Sequence, residues 1–534
     1  MRITYNDKLN KLLNPYLESL LKEKSSLEPE TLTLFDLFME DLDMGGRYGI
    51  FSEILEPRLE EIIREENIES IANLMDGRLN TLFRYMLGDE FAGLFHTYLQ
   101  LEARCPHTIG YDRRAQRSAH PSNHLDHARD AWLQFLKLRA TGFSVEAILK
   151  GGNTPEDTEE FSGYMNSSYW LAAQIAQGNE KVIEYLNQVL TSENNVHRLQ
   201  RWYLHAIAIS GHRPLLELEG KLLLAAKLQE GLRQAIVETM DEGCPESYLY
   251  LFSIIYNNGL QRFASVKRSI AVCTGIGEQD SSERITNKYV ELIWNFLNHP
   301  ETARNTLQSK DTVELYLALW SIGFYDTDEI RAIVPDIIRK GAKHQIQTLL
   351  YFLRCTQSSQ MNHLISKDAF EVWHDDPKVV AAILPLYMDG LYLSRYSDNK
   401  EAPTLSDYFE TPEEAVRHYG YLKQVYQSIS AKEVYSPYVF PWDCVVLTRS
   451  DVVLKMAYIA WMTNDIRLRE ELCTYLPALE SYNRASYIGI VLPRTESKVE
   501  QEYVLQSLGD RSADIRDEAY KVLSEMSLSP EQYQ

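Results

Sequence analysis

The chain has 534 residues, 45% of them hydrophobic, and carries a formal net charge of −22 at pH 7. The hydrophobic content excludes global disorder, and a mean hydropathy of −0.32 without any long apolar run excludes a membrane span. The negative charge makes nucleic acid an unfavourable partner, because phosphates repel such a surface unless a local basic patch prevails.

The six cysteines are widely scattered and form no Cys-x-x-Cys pair, and the N-terminus lacks the apolar core of a signal peptide. This pattern predicts reduced, mostly buried thiols in a cytoplasmic protein. No cofactor is predicted. Because the chain exceeds one ordinary core, we expect several domains or an elongated array.

Residues 1–104 contain successive predicted helices, separated by turn signals at Pro29, at Gly45-Gly46 and at Pro57. The spacing of these helices does not match the period found later in the chain. We therefore expect an N-terminal helical domain that caps the remainder.

Residues 105–130 form a polar, basic and histidine-rich segment that we predict to be a long loop. From Arg104 to Arg139 there are seven Lys or Arg residues and three Asp residues, which reverses the sign of the chain as a whole. Arginine can clamp phosphate or carboxylate in bidentate fashion, so the segment is a candidate site for an anion or an acidic partner. The candidate residues are Arg104, Arg113, Arg114, Arg117 and Arg129. An ordinary polar loop, or one that packs against the acidic N-terminal helices, is the simpler alternative.

The same segment holds five residues of types that bind zinc, namely Cys105, His107, His120, His124 and His127. His124 and His127 lie three residues apart at a predicted helix start and could share one face, and cysteine sulfur is a soft ligand that suits zinc. The spacing matches no standard zinc finger. The set is therefore a weak metal candidate, and we predict no bound metal.

Residues 131–390 carry a helical pattern that returns about every fifty residues, with apolar side chains at i, i+4, i+7 and i+8. Copies begin at Val182, Leu232, Ile285, Ile330 and Val379. Such a period predicts stacked helical units, each unable to bury its apolar face alone. Because the same offsets describe any amphipathic helix, an irregular all-helical fold is the alternative.

Residues 391–450 interrupt this period and are rich in tyrosine and proline. The segment ends in Val434-Tyr435-Ser436-Pro437-Tyr438-Val439-Phe440-Pro441-Trp442-Asp443. Aromatic residues at this density either pin an insertion to the repeats or form a ledge that binds a peptide. On the second interpretation Tyr435, Tyr438 and Trp442 are the candidate contacts for a partner.

Residues 451–534 resume the pattern, with a faint copy at Ile466 and the clearest copy at Ile515, where Ser512 can cap the helix. The stretch from Leu508 to Leu523 resembles the second helix of a HEAT repeat. The resemblance implies that Asp510 and Arg516 support the stack. It also implies a right-handed α-solenoid of HEAT- or armadillo-like repeats with an N-terminal helical cap.

The stretch Ser481-Tyr482-Asn483-Arg484-Ala485-Ser486-Tyr487-Ile488-Gly489-Ile490 resembles, more faintly, the N-terminal helical part of large bacterial MolR-like proteins. The biochemistry of those proteins is obscure, so this resemblance implies no catalytic activity.

The sequence shows no phosphate-binding loop, no His-Glu-x-x-His and no Gly-x-Ser-x-Gly motif. We therefore expect a non-catalytic cytoplasmic scaffold or adaptor that binds a partner protein on a helical-repeat surface. One alternative is a DNA-repair-like helical-repeat protein that grips nucleic acid, for which Arg331, Arg467 and Arg516 are thin support. Another is a metal-dependent hydrolase that uses residues 105–127.

Overall fold

The structure is a computed structural model that describes most of the chain. The described residues are 7–44, 55–68, 73–104, 125–149, 167–191, 199–226, 229–240, 243–274, 286–325, 327–354, 359–396, 401–430, 446–493 and 495–526. Within them the regular structure is helical, with 27 α-helices, a few short 3₁₀ turns and no β-strand. The prediction of an all-α protein is confirmed for this part of the chain.

The described residues fall into two compact units. Unit 1 comprises those within 1–307 and 316–330, and unit 2 comprises those within 308–315, 331–354 and 358–534. The helices of unit 1 are α1 (Asp7–Glu23), α2 (Pro29–Met44), α3 (Leu55–Glu65), α4 (Arg78–Leu87), α5 (Asp89–Ala103), α6 (Leu125–Ala140), α7 (Val145–Leu149), α8 (Ser168–Ala176), α9 (Glu180–Thr191), α10 (Arg201–Ser210), α11 (Arg213–Ala225), α12 (Glu230–Thr239), α13 (Pro245–Asn257), α14 (Ala264–Thr274), α15 (Asn287–Asn298) and α16 (Pro300–Thr306).

Two helices, α17 (Thr312–Tyr325) and α18 (Thr327–Lys340), have residues in both units. Unit 2 continues with α19 (Lys343–Arg354), α20 (Ser359–Trp373), α21 (Pro377–Ile383), α22 (Pro412–Ser428), α23 (Arg449–Thr463), α24 (Ile466–Leu472), α25 (Ser481–Val491), α26 (Lys498–Ser507) and α27 (Ala513–Glu525). None of the described helices combines the length and the apolar character that crossing a membrane requires.

In unit 1, helices pack against a helix two or three positions further along the chain. One row runs α5, α8, α10, α12 and α14, and a second row runs α7, α9, α11, α13 and α15. The apolar faces meet along these rows, and α8 is buried on all sides, with Trp170 at 1% exposure. Each helix thus covers the apolar face of a helix that is not its immediate neighbour in sequence.

The predicted apolar stripes match the buried faces at some helices and not at others. In α9 the stripe from Val182 to Leu190 is buried, as is most of the stripe that begins at Ile515 in α27. The stripe predicted from Ile285 is confirmed only at Ile293, because Tyr289 and Leu292 are half-buried and Ile285 itself lies outside the described residues. The buried face of α15 consists of Val290, Ile293, Phe296 and Leu297.

In unit 2, α23, α25 and α27 form one row and α24 packs against α26. Asp510 lies in the turn before α27, and its carboxylate accepts a hydrogen bond from Arg484 of α25 at 2.8 Å. Arg516 donates to the Asp510 carbonyl oxygen at 2.8 Å. The two residues singled out by the HEAT resemblance thus both fasten this turn. Ser512 begins the helix without the expected side-chain cap.

The segment 391–450 contains α22, which begins at Pro412 after the side chain of Thr411 caps its first turn. The helix packs against α23 and buries Tyr419 to 2% exposure. Part of the aromatic segment is therefore packed against neighbouring helices. The described cysteines Cys244, Cys273 and Cys473 are buried, as the sequence predicts.

Candidate functional site

Most of the residues predicted to contact a partner or a metal lie outside the described part of the chain. These are Arg113, Arg114, Arg117, Cys105, His107, His120, His124, Tyr435, Tyr438 and Trp442. His127 and Arg129 lie in α6, but their side chains are also outside the described residues. Arg104 follows α5 and lies 3.6 Å from the carboxylate of Glu246, with both side chains exposed. Such a surface pair contributes little to stability.

A surface of exposed tyrosines lies in unit 2, at the start of the aromatic segment. Tyr392 is 68% exposed, Tyr396 is 73% exposed, and Tyr482 of α25 is 36% exposed. The hydroxyl groups of Tyr392 and Tyr482 lie 3.1 Å apart, and that of Ser394 lies 3.0 Å from Tyr482. We call Tyr392, Tyr396 and Tyr482 the tyrosine surface. Tyr392 and Tyr482 contact each other directly, and Tyr396 is joined to them through Arg395, which lies 4.9 Å from the Tyr396 ring centre and 6.0 Å from that of Tyr482.

Arg395 holds this surface in place from beneath. Its guanidinium lies 3.0 Å from the carboxylate of Asp514 and 3.9 Å from that of Glu518, both in α27, and the Arg395 side chain is only 9% exposed. The same group donates to the Tyr396 hydroxyl at 2.9 Å and lies 4.9 Å from the centre of that ring. Lys521 lies 2.7 Å from Glu518, so Arg395 and Lys521 together balance the carboxylates of Asp514 and Glu518.

Hydrogen bonding within the surface shifts the acidity of its phenols. Bonds from Ser394 and Tyr392 lower the pKa of Tyr482, while the bond to Tyr482 raises the pKa of Tyr392. The backbone is fixed as well, since the Arg395 amide donates to the Ser486 hydroxyl at 3.3 Å. The tyrosine surface is thus ordered before any partner binds.

Behind this surface lies a buried polar cluster centred on His418 of α22, whose ring is fully buried. Its Nδ1 lies 2.8 Å from the hydroxyl of Tyr387, and its Nε2 lies 3.0 Å from Oε1 of Glu371 in α20. The His418 ring stacks on that of Tyr387 at an interplanar angle of 9°. Burial lowers the pKa of His418, although the nearby Glu371 opposes this shift. The imidazole is therefore neutral at neutral pH, with Nε2–H donating to Glu371 and Nδ1 accepting from Tyr387.

Two cations balance the two carboxylates of this cluster. Arg417 donates to Oε1 of Glu371 at 2.6 Å, and Lys367 lies 3.0 Å from Oε1 of Glu414. Burial alone would raise the pKa of each carboxyl, but hydrogen bonds from Arg417 to Glu371, and from the Glu410 amide and Lys367 to Glu414, lower both. The cluster is consequently a nearly neutral set of paired charges.

His363 of α20 joins the cluster to the tyrosine surface. It is 1% exposed, donates through Nε2 to the Tyr408 carbonyl at 2.8 Å, and accepts through Nδ1 from the Met388 amide at 2.9 Å. Met388 has a φ of +51°, a left-handed backbone conformation that residues other than glycine rarely adopt. Burial lowers the pKa of His363 to about 4. A neutral His363 thus stabilises the turn that leads into Tyr392.

Sequence reasoning identified the aromatic segment but not these particular residues. The spacing of Glu414 and His418, one helical turn apart, was available as a signal, because residues at i and i+4 share a face. Glu371 belongs to another helix, and nothing in the sequence connects it to them. Tyr392 and Tyr396 lie in the predicted segment, yet their exposure could not be distinguished from burial.

Residues 34–534 match the profile of a family described as a family of unknown function, DUF5724. No curated protein and no solved structure matches the chain.

Proposed function

The chain belongs to DUF5724, a family of unknown function, and we propose that it is a non-catalytic cytoplasmic scaffold that binds a cationic segment of a partner protein on its tyrosine surface. The observation that carries this proposal is the ordered group of exposed phenol rings at Tyr392, Tyr396 and Tyr482. The alternating helix rows of unit 1 support the accompanying proposal of HEAT-like stacked repeats.

The order of the surface favours binding. Large aromatic side chains normally lose conformational freedom when they bind, which costs part of the free energy gained. Here Tyr396 is held by Arg395, and Tyr392 and Tyr482 hold each other. Because these side chains are already fixed, more of the contact energy is available to stabilise a complex. Tyrosine is also one of the residues that contribute most at protein interfaces.

The charge of the whole chain indicates the chemistry of the partner. Asp514 and Glu518 beneath the rings are balanced by Arg395 and Lys521, but the chain carries a net charge of −22. Lys or Arg side chains over exposed tyrosine faces contribute about 0.5–1 kcal/mol each through cation–π attraction. The long-range negative field would raise the rate of encounter with a basic segment and disfavour nucleic acid.

A photo-cross-linking experiment tests the proposal on the intact chain. p-Benzoylphenylalanine placed at Tyr392 should cross-link in nuclease-treated native lysate to a peptide that contains several Lys or Arg residues. The same group at Tyr520, which is 71% exposed and lies two residues after Glu518 in α27, is the matched control. Cross-linking to acidic or apolar peptides, equal cross-linking from both positions, or recovery of nucleic acid alone would overturn the proposal.

A further inference from the structure

Three potential ligands converge in the buried cluster of unit 2. One oxygen of Glu371, one of Glu414 and one nitrogen of His418 all lie within 4.8 Å of one another. We propose that these three side chains bind a divalent transition-metal ion, with zinc as the best fit. The proposal is independent of the tyrosine surface and of the predicted set at residues 105–127.

The positions of the three groups on their helices explain why they converge. Glu414 and His418 are one turn apart on α22, so both project from one face of that helix. Glu371 projects from α20 towards the same point, and its Oε1 lies 3.0 Å from Nε2 of His418. Two ligands of a tetrahedral zinc ion, each about 2.0 Å from the metal, are about 3.3 Å apart. Movements of the Glu371 and Glu414 side chains would bring all three ligand atoms to this separation around an ion.

The surroundings of His418 match those of histidine ligands in metalloproteins. Such a histidine uses its second ring nitrogen to hydrogen-bond a neighbouring group, which fixes the orientation of the ring. Here Nδ1 lies 2.8 Å from the hydroxyl of the fully buried Tyr387. When metal binds Nε2, the neutral ring takes the other tautomer: its one proton moves from Nε2 to Nδ1, which then donates to the Tyr387 oxygen.

The donor set indicates which metal is favoured. One imidazole nitrogen and two carboxylate oxygens suit zinc, or another late first-row ion, better than calcium or magnesium. Three protein ligands would leave a further position for water, as in open zinc sites. The partial exposure of the Glu371 side chain, at 32%, provides an approach for the ion from solvent.

Arg417 competes with the metal for Glu371. Its guanidinium donates to the same Oε1 that would bind the ion, at 2.6 Å from Nη2 and 3.1 Å from Nε. The Arg417 side chain is 49% exposed, so it can turn into solvent when an ion arrives. Lys367 is 9% exposed and must remain beside Glu414. We therefore expect moderate affinity in the natural chain and tighter binding once Arg417 is removed.

The test measures zinc binding to untagged full-length protein. A background variant with Cys105 replaced by serine, and with His107, His120, His124 and His127 replaced by alanine, removes the other candidate ligands. On this background we expect about one equivalent of zinc by calorimetry, together with a rise in thermal stability when zinc is added. His418→Gln should abolish both effects. His374→Gln, which changes a nearby histidine stacked on Tyr421 rather than a ligand, should leave both unchanged.

Arg417→Gln gives a second readout that does not depend on a disruptive core substitution. It should lower the zinc dissociation constant several-fold, because the competing guanidinium is gone. The proposal is overturned if the background variant binds no zinc, if His418→Gln binds as well as its parent, or if Arg417→Gln leaves the affinity unchanged or weaker.

Discussion

Tyr387 and Tyr392 lie five residues apart in one short stretch of unit 2, yet the protein uses them in opposite ways. Tyr387 is fully buried and its hydroxyl lies 2.8 Å from His418. Tyr392 is 68% exposed and its hydroxyl lies 3.1 Å from that of the partly exposed Tyr482. The first fastens helices to one another, and the second presents an aromatic face to solvent.

The difference arises from the turn between the two residues. The helix α21 ends at Ile383, and Met388 adopts a positive φ, after which the chain contacts α23 and α25. Tyr458 of α23 donates to the Leu391 carbonyl at 3.0 Å and so holds the redirected segment. Identical residue types therefore acquire structural or binding roles according to the backbone between them.

Tyr387→Ala should produce the largest loss of stability, about 3–5 kcal/mol, because it removes a fully buried ring and leaves His418 Nδ1 without its partner. Denaturant unfolding of the full chain, followed by tryptophan fluorescence, measures the loss. Tyr387→Phe should cost about 1–2 kcal/mol, since only the hydroxyl is lost. If Tyr392→Ala were as damaging as Tyr387→Ala, the contrast between the two tyrosines would fail.

Acid should weaken the turn through His363. Its pKa is lowered to about 4 in the folded protein, against about 6.5 in the unfolded chain. A lowered pKa means that the unfolded state binds the proton first, so stability is present above pH 6.5 and is lost as the pH falls towards 4. The full loss is about 3 kcal/mol.

The His363→Gln variant isolates this effect. The difference in unfolding free energy between the natural chain and the variant should be greatest above pH 7 and should shrink steadily towards pH 4. A difference that does not change with pH would show that His363 does not titrate in this range.

A similar contrast separates two buried glutamates, one in each unit. Glu500 of unit 2 is fully buried and accepts two hydrogen bonds from Arg469, at 2.7 and 2.8 Å. Glu219 of unit 1 is equally buried, but neither of its oxygens has a hydrogen-bond partner among the described residues. Burial raises the pKa of Glu219 well above its ordinary value.

Glu219→Met should therefore stabilise the protein, by about 1–3 kcal/mol at neutral pH, because it replaces an unpartnered polar group by an apolar one of similar length. A raised carboxyl pKa makes the natural chain lose stability as the pH rises above the unfolded value near 4.5. The gain should accordingly be larger at pH 8 than at pH 4.5 in thermal unfolding. Glu500→Met should instead destabilise the protein, because it leaves the Arg469 guanidinium without the carboxylate to which it donates.

Tyr396→Ala should have the smallest effect on stability, within about 0.5 kcal/mol, because the ring is 73% exposed. Thermal unfolding of Tyr396→Ala, compared with that of the natural chain and of Tyr520→Ala, measures this effect. A loss as large as that of Tyr387→Phe would mean that the tyrosine surface is structural and would remove the main support for a binding role.

The sequence predicted what depends on local periodicity. Apolar side chains at helical spacing located α9 and α27 and their buried faces. An amphipathic helix carries one apolar stripe along its length, whichever helix it packs against. The pattern at Ile285 matched the buried face of α15 only at Ile293, since the same offsets can be read in more than one frame. The aromatic segment was recognised, but the sequence left pinning and binding as alternatives, and the structure shows that Tyr419 is buried while Tyr392 is exposed.

The buried cluster could not be predicted, because its members come from separate helices. Glu371, Tyr387 and His418 lie on or after three different helices, and only tertiary packing brings them within hydrogen-bond distance. The repeated spacing included Tyr387 as the last member of the stripe that begins at Val379, but it gave no information on Glu371, Glu414 or His418, since the repeat is defined by apolar positions. Local patterns thus specified the elements, and long-range packing specified the sites.

The most direct test of the binding role is the affinity of the full chain for a fluorescein-labelled Arg-Gly-Ser repeat peptide, measured by anisotropy. The natural chain and the Tyr520→Ala variant should bind the peptide with equal affinity, and added salt should weaken binding to both. Replacing Tyr392, Tyr396 and Tyr482 together by alanine should weaken binding about tenfold or more, with unchanged thermal stability. Equal affinity of the triple variant and the natural chain would contradict the proposal that the tyrosine surface holds a cationic partner.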